Sequence, residues 1–126
     1  MIFGKESETL EFKKTTGELK EAVVSVASIL NKNGKGELYF GIKNDGTVLG
    51  QQIGDATLRD VSKALSDNLK PQIFPTIDAV TIDNKRCIRV AFEKHKLGFA
   101  VVFYRPDASF SDNSEKDVDR DVNKDV

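Results

Sequence analysis

The sequence predicts an α+β fold in which a mixed β-sheet carries two helices on one face, a two-layer sandwich. Two segments have apolar residues at the three- and four-residue steps of a buried helix face, around residues 19–30 and 58–69. Between and after them lie short segments in which apolar and polar residues alternate, as in half-buried strands. Glycine-containing turns separate these segments, and the predicted order is β-α-β-β-α-β-β-β.

Residues 8–13 alternate and predict the first strand, with Leu10 and Phe12 facing inward. Thr15 and Glu18 then have the spacing of a capping box, which predicts the start of a helix. The apolar residues of that helix form one stripe: Leu19, Ala22, Val23, Val26, Ala27 and Leu30. Gly34, which follows Asn31, Lys32 and Asn33, is predicted to end the helix in a left-handed conformation.

Residues 27–50 are the stretch around which the other elements are predicted to assemble. After the turn at Gly34 and Gly36, apolar residues alternate along a strand that ends near Ile42. Leu38, Phe40 and Ile42 are expected on one face, with Glu37, Tyr39 and Gly41 on the other. Residues 44–46, Asn-Asp-Gly, predict a tight turn after which residues 47–49 pair back as a hairpin.

The second half of the chain predicts a helix followed by strands. Asp55 or Thr57 is expected to cap the helix, which ends before Lys70-Pro71. Its buried stripe consists of Leu58, Val61, Leu65 and Leu69. Residues 77–82 predict a strand with no assigned buried face, and residues 83–85 turn it into a strand that ends near residue 92. Ile88, Val90 and Phe92 share a face of that strand, Cys87 is expected half-buried opposite Ile88, and residues 99–104 predict the last strand.

Composition indicates an ordinary globular domain, with 39% hydrophobic and 31% charged residues in a chain of 126. The sequence has no apolar run near the length of a membrane span, and its first five residues lack the apolar core of a signal peptide. We therefore expect a cytoplasmic protein without membrane contact. One cysteine and one histidine cannot form an intrachain disulfide or a Cys/His zinc set, and His95 is expected to be structural.

Charge is distributed unevenly along the chain. Residues 1–105 hold 16 Lys and Arg against 13 Asp and Glu, a surplus of three positive charges. Residues 106–126 hold 3 against 7, a surplus of four negative charges, with Asp-Val pairs repeating every four residues. We expect residues 1–105 to form the domain and residues 106–126 an acidic, disordered linker or tail toward a further C-terminal region.

The basic residues suggest a surface for nucleic acid. The candidates follow or end the first strand, helix and hairpin, and we expect them to meet on one edge: Lys13, Lys14, Lys32, Lys35 and Lys43. Arg105, beside Tyr104, offers a cation next to a ring on which a base can stack. A solvated lysine face is the alternative. Residues 34–36, Gly-Lys-Gly, lack the Ser/Thr and the strand-to-helix position of a Walker loop, so nucleotide hydrolysis is not expected.

Several of these residues together resemble the Schlafen-type AlbA-like domain. The resemblance runs over residues 6–105, and its motifs are weak singly and specific in this order and spacing. The matching positions are Glu11-Phe12-Lys13, Ala27, Asn31, Gly34, Gly36, Gly41-Ile42, Asp45-Gly46, Gly50, Lys70-Pro71 and Tyr104-Arg105. Bacterial members are often described as DNA-binding or RecG-related transcriptional regulators, frequently with a winged helix after this domain.

The resemblance also implies an enzymatic alternative. In animal Schlafen proteins a related domain cuts transfer RNA with acidic residues, of which the first pair resembles Glu6 and Glu11. The third acid of those nucleases follows the Gly-Ile or Gly-Val pair directly, whereas this chain has Lys43 and Asn44 there and Asp45 displaced toward the turn. Such a nuclease would use Mg²⁺ or Mn²⁺, held by carboxylate oxygens, to activate water.

The sequence therefore predicts a nucleic-acid-binding module of the transcriptional-regulator type rather than an enzyme, without a cofactor. Binding is expected through backbone phosphates, with DNA favoured over RNA as the partner. The alternatives are the metal-dependent nuclease that uses Glu6, Glu11 and Asp45, and a protein-interaction module that forms a homodimer through an open sheet edge.

Overall fold

A computed structural model describes residues 3–94 and 103–104. Its elements, in chain order, are β1 (Leu10–Lys13), α1 (Leu19–Asn33), β2 (Lys35–Phe40), α2 (Asp55–Asn68), β3 (Leu69–Lys70), β4 (Thr76–Ile82), β5 (Lys85–Glu93) and β6 (Phe103–Tyr104). A short 3-10 helix, Thr16–Glu18, leads into α1. The predicted α+β arrangement of a mixed sheet with two helices is confirmed. Residues 99–102 of the predicted last strand, and the predicted tail 106–126, lie outside the described residues.

Four strands form the main sheet in the order β1-β2-β5-β4. β1 and β2 are parallel because α1 carries the chain back between them, and the other pairs are antiparallel. β3 and β6 form a separate two-stranded antiparallel pair. Both helices cover the same face of the main sheet, since their buried residues form one cluster with those of β2 and β5.

The larger core lies between the helices and the sheet. Every residue of the predicted α1 stripe faces this core, and Ile29 joins it. From α2 the core receives Val61, Ala64 and Leu65, while Leu69 is fully buried at the start of β3. The sheet contributes the predicted alternating positions of its two central strands: Leu38, Phe40, Ile88, Val90 and Phe92.

A second core occupies part of the opposite face of the sheet. It consists of Phe12, Tyr39, Ile42, Val48 and Cys87. Phe3 covers them, and its ring lies 4.9 Å from that of Tyr39 and 5.9 Å from that of Phe12. Phe12 is therefore buried as predicted, although it faces away from the helices. Cys87 was expected to be half-buried, which is wrong, since it is 0% exposed within this core.

Ile42 is also placed differently from the prediction. It packs with Tyr39 rather than with Leu38 and Phe40, because Gly41 has a φ of +101° and interrupts the alternation. Ile42 then forms one isolated bridge with Val48, and the Lys43 N–H donates to the Thr47 carbonyl at 2.8 Å. The predicted turn is confirmed, but the expected second strand of the hairpin is reduced to this bridge.

The helix ends follow the local signals closely. Gly34 has a φ of +85° and donates its N–H to the Leu30 carbonyl at 3.0 Å, as predicted for the end of α1. The Thr15 hydroxyl accepts the Gly17 N–H and so caps the short 3-10 helix, but the Glu18 side chain accepts the N–H of Lys14 rather than that of Thr15, so the predicted capping box does not form. Thr57 accepts the Gly54 N–H at the start of α2.

The β4–β5 turn and the faces of β4 complete the sheet. Asp83 and Asn84 both have positive φ, as the predicted tight turn requires. Ile77 of β4 packs toward the helices, whereas Val80 and Ile82 pack toward the second core. The buried face of β4 could not be assigned from its sequence because both of its faces are partly covered. Neither of the described helices is long and apolar enough to cross a membrane.

Candidate nucleic-acid interface

Three of the predicted lysines gather where β1 and β2 end. Lys13 is the last residue of β1, and its carbonyl accepts the N–H groups of Gly41 at 2.8 Å and Ile42 at 3.2 Å. Lys14 follows directly, and Lys43 lies one residue beyond Ile42. Because β1 and β2 are parallel, both strands finish at the same end of the sheet.

Two further cations, Lys85 and Arg86, lie at this end and were missed in the sequence. β5 runs antiparallel to β2, so its first residues lie beside the last residues of β2, with Ile88 paired to Phe40. The sequence does not indicate this proximity, because the alternation within one strand does not show which other strand lies beside it. We call the set Lys13, Lys14, Lys43, Lys85 and Arg86 the basic end.

The members of the basic end differ in how they are paired. Lys13 lies 3.4 Å from a Glu11 oxygen, and Lys85 lies 3.9 Å from an Asp83 oxygen. Lys14, Lys43 and Arg86 are exposed, and within residues 3–94 their side chains form no salt bridge with a carboxylate, although the Lys43 charge adds to the lowering of the Asp45 pKa. These three cations are therefore the best placed to contact an anionic ligand.

Gln51 fixes the geometry of the basic end. Its backbone N–H donates to the Arg86 carbonyl at 2.9 Å. Its side-chain oxygen accepts the Thr16 N–H at 3.0 Å, and its side-chain nitrogen donates to the Thr16 hydroxyl at 3.2 Å. One residue thus ties the segment before α1 to the start of β5, which no local pattern in the sequence indicates.

Lys32 and Lys35 lie elsewhere. Lys35 is the first residue of β2, which is six residues long, so these two are separated from the basic end by roughly 17 Å along the strand. Lys35 lines a groove on the sheet face away from the helices, and Lys32 lines a recess between β1 and α1. The predicted lysines therefore form two groups at opposite ends of β2 rather than one, because β2 separates them. Arg105 lies outside the described residues.

The three carboxylates of the nuclease alternative have separate surroundings. The chain turns at Ser7–Leu10, which brings Glu6 back beside β1, where its carboxylate accepts the Phe12 N–H at 3.0 Å. Glu11 pairs with Lys13, and Asp45 accepts the Thr47 N–H at 2.9 Å, which lowers the Asp45 pKa. The described residues contain no group of three His, Cys, Asp or Glu side chains that could hold a metal ion.

A polar cluster lies on the sheet face away from the helices. Arg89 Nε donates to Glu37 Oε2 at 2.9 Å, and a second guanidinium nitrogen contacts the same oxygen. The hydrogen bond to Glu37 raises the pKa of Arg89. Burial and the nearby Glu37 charge raise the pKa of Tyr39, against a hydrogen bond with Arg89 that lowers it. The Glu37 carboxylate is thus held in a fixed position beside the groove.

Comparisons with known proteins agree with this architecture. The family model described as Schlafen, AlbA_2 matches residues 6–117. The N-terminal domain of a RecG-related protein from Nitrosomonas europaea, named as a candidate ATP-dependent DNA helicase, superposes with a TM-score of 0.58 at 16% identity, over 95% of this chain and 85% of that one. Among curated proteins no relative gives a significant match.

The DIP2311 protein from Corynebacterium diphtheriae gives a TM-score of 0.57 at 15% identity, over 74% of this chain. This chain spans only 19% of that protein. At such identities both solved structures show a common fold and no more. The family model, in contrast, covers most of the sequence, from Glu6 before β1 to residue 117 beyond β6. The chain therefore belongs to the Schlafen AlbA_2 family.

Proposed function

We propose that this chain is a nucleic-acid-binding module that holds backbone phosphates at its basic end, with DNA as the favoured partner. The observation that carries the proposal is the exposure of Lys14, Lys43 and Arg86 at one end of the sheet, where their side chains form no salt bridge with a described carboxylate. Family membership supports a role with nucleic acids, and so does the name of the RecG-related neighbour. The finer proposal, a place in a bacterial transcriptional regulator, rests on the family alone.

The chemistry of the basic end indicates how it would bind. Lysines act as mobile point charges and suit phosphate oxygens, which look alike at every base pair. We therefore expect low sequence specificity. Each neutralised phosphate of duplex DNA contributes about 0.9 to the slope of log affinity against log salt concentration, so three contacts predict a slope of about −3.

The test uses fluorescence anisotropy of labelled duplex DNA and structured RNA at low and moderate salt. Two double variants carry the same change in net charge: Lys14→Glu/Lys43→Glu at the basic end, and Lys32→Glu/Lys35→Glu at the other end of β2. We expect the first to weaken duplex binding about ten-fold or more and the second only slightly. Equal losses from the two variants would contradict the assignment to the basic end.

The same samples decide between the proposal and its alternatives. Each titration is run with Mn²⁺ and with EDTA, and the nucleic acid is then examined on a gel. Intact strands with salt-sensitive binding support the binding module. Strands shortened only with Mn²⁺, and intact with Glu11→Gln, would support the nuclease instead. A dimer that retains no nucleic acid at low salt would support the protein-interaction module.

A further inference from the structure

A groove of about 550 Å³ crosses the main sheet on the face away from the helices, at the end opposite the basic end. Its floor is one row of paired residues that spans all four strands. Leu10 lies beside Glu37, Glu37 beside Ala91, and Ala91 beside Thr76. Ala91 is small, so the middle of this row leaves an open groove. The second core, in contrast, covers the neighbouring part of the same sheet face.

Phe74 borders the groove and is the most exposed large apolar side chain of the described residues, at 82%. It lies in the segment that joins β3 to β4. Its neighbour Ile73 is buried in the helix-side core, at 3% exposure, which holds the segment in place while Phe74 faces solvent. An aromatic ring presented in this way offers a flat apolar surface to a ligand in the groove.

Charged side chains of both signs line the groove together with the Phe74 ring. Lys35 lines the groove, and Glu93 lies opposite it across the β2–β5 pair. The Glu37 carboxylate also lines the groove, and Arg89 holds it through Oε2. Within the described residues no hydrogen bond reaches Oε1 of Glu37, so this oxygen can accept one from a ligand.

We propose that this groove binds an unpaired nucleotide, with its base stacked on Phe74 and its phosphate near Lys35. The inference rests on the proposed function and adds a second contact with the nucleic acid. An unpaired base exposes a flat face for stacking and N–H donors on its Watson–Crick edge, which suit Phe74 and the Glu37 carboxylate. Inside a duplex the base faces are stacked on their neighbours and the Watson–Crick edges are paired, so neither is available to the groove.

The mixed polarity of the groove argues against an apolar protein partner. Such a partner would bury the Lys35 ammonium and the Glu37 carboxylate without giving them hydrogen bonds, which is costly. Because Lys35 and Arg89 are balanced by Glu37 and Glu93, we expect stacking rather than net charge to dominate binding in the groove. This contribution should depend little on salt, unlike that of the basic end.

Phe74→Trp gives a direct probe, since the chain has no other tryptophan. We expect a single-stranded oligonucleotide to quench its emission through stacking, and a blunt duplex to leave it unchanged. Val24→Trp, at a 46% exposed position of α1, is the control and should respond to neither. Equal quenching by duplex, or a change in emission with protein concentration alone, would overturn the proposal.

Phe74→Ala measures the strength of the contact by anisotropy. We expect it to weaken single-strand binding by between about five-fold and a hundred-fold, with duplex affinity and the salt slope unchanged. The Lys14→Glu/Lys43→Glu variant, in contrast, should weaken both ligands. Unaltered single-strand affinity in Phe74→Ala, while duplex still binds, would overturn the groove alone. Failure of the wild-type chain to bind either ligand would overturn the proposed function and this inference together.

Discussion

Gly41 is the residue at which β2 stops alternating between the two faces of the sheet. Its φ of +101° is one that side chains with a Cβ rarely adopt. A Cβ built there would lie 3.1 Å from Cys87 Sγ and 3.3 Å from the Gly50 Cα. The backbone conformation and the close packing both require glycine, and together they direct Ile42 into the second core.

Gly41→Ala should therefore be destabilising. We expect the free energy of unfolding to fall by about 2 kcal/mol, from backbone strain and the contact with Cys87. Urea denaturation followed by circular dichroism measures it. Gly4→Ala is the matched control, since nothing lies within 4 Å of its built Cβ. An equal loss in both variants would show that the conformation of Gly41 is not the cause.

Gln51 acts at the scale of elements because its hydrogen bonds join three segments. It links the 3-10 helix before α1, its own loop and the start of β5. Lys14 lies just before the first of these and Arg86 in the last. Gln51 thus links the segments of two cations of the basic end, through its side chain on the Thr16 side and its backbone N–H on the Arg86 side.

Gln51→Ala tests this link. Loss of its partly buried hydrogen bonds to Thr16 should lower the free energy of unfolding by about 1–2 kcal/mol. It should also speed hydrogen exchange at the Thr16 amide, whose acceptor is the Gln51 side chain. Gln52→Ala, at the exposed neighbouring position, is the control. It should change neither the free energy of unfolding nor the exchange of the Thr16 amide. Unchanged exchange at Thr16 would show that the link is not maintained in solution.

The two edge strands of the main sheet, β1 and β4, differ in whether their outer backbone groups are hydrogen-bonded. At β1, Ser7 donates its N–H to the Leu10 carbonyl at 2.9 Å, and the Glu6 carboxylate accepts from Phe12. At β4, no backbone hydrogen bond from the described residues reaches the outer edge. An edge of this kind can pair with another strand. The homodimer suggested by the sequence stays a prediction, and β4 is where it would form.

At the scale of the whole molecule, charge separates into regions that the net value of −1 conceals. The basic end is a local concentration of cations on a chain with nearly equal numbers of both signs. Residues 106–126 add four net negative charges to the same chain. Such an acidic segment competes electrostatically with phosphate, most strongly at low salt.

Neutralising four aspartates of the acidic segment should therefore strengthen nucleic-acid binding. Asp117→Asn, Asp119→Asn, Asp121→Asn and Asp125→Asn together change the net charge from −1 to +3. We expect a several-fold gain in duplex affinity at low salt that disappears as screening shortens the Debye length to about 10 Å near 0.1 M. A control with Val118→Ala and Val122→Ala leaves the charge unaltered. A gain that persisted at moderate salt would point to a cause other than charge.

The sequence by itself determined the elements that depend on neighbours along the chain. Apolar spacing set the buried stripes of α1 and α2, and the glycine at position 34 set the end of α1, because helix periodicity and capping are local. The alternation of β5 placed Ile88, Val90 and Phe92 in the core for the same reason. The family resemblance over residues 6–105 also followed from short motifs, most of which lie within residues 11–50.

Only the tertiary structure decided what meets at each end of the sheet. Strand order and direction bring Lys85 and Arg86 to the same end of the sheet as Lys13, and the length of β2 keeps Lys35 away from that end. The same long-range packing buries Cys87 in the second core and places Phe74 and Ala91 along one groove. Pairing between distant segments depends on the summed packing of the whole chain, which no local pattern records.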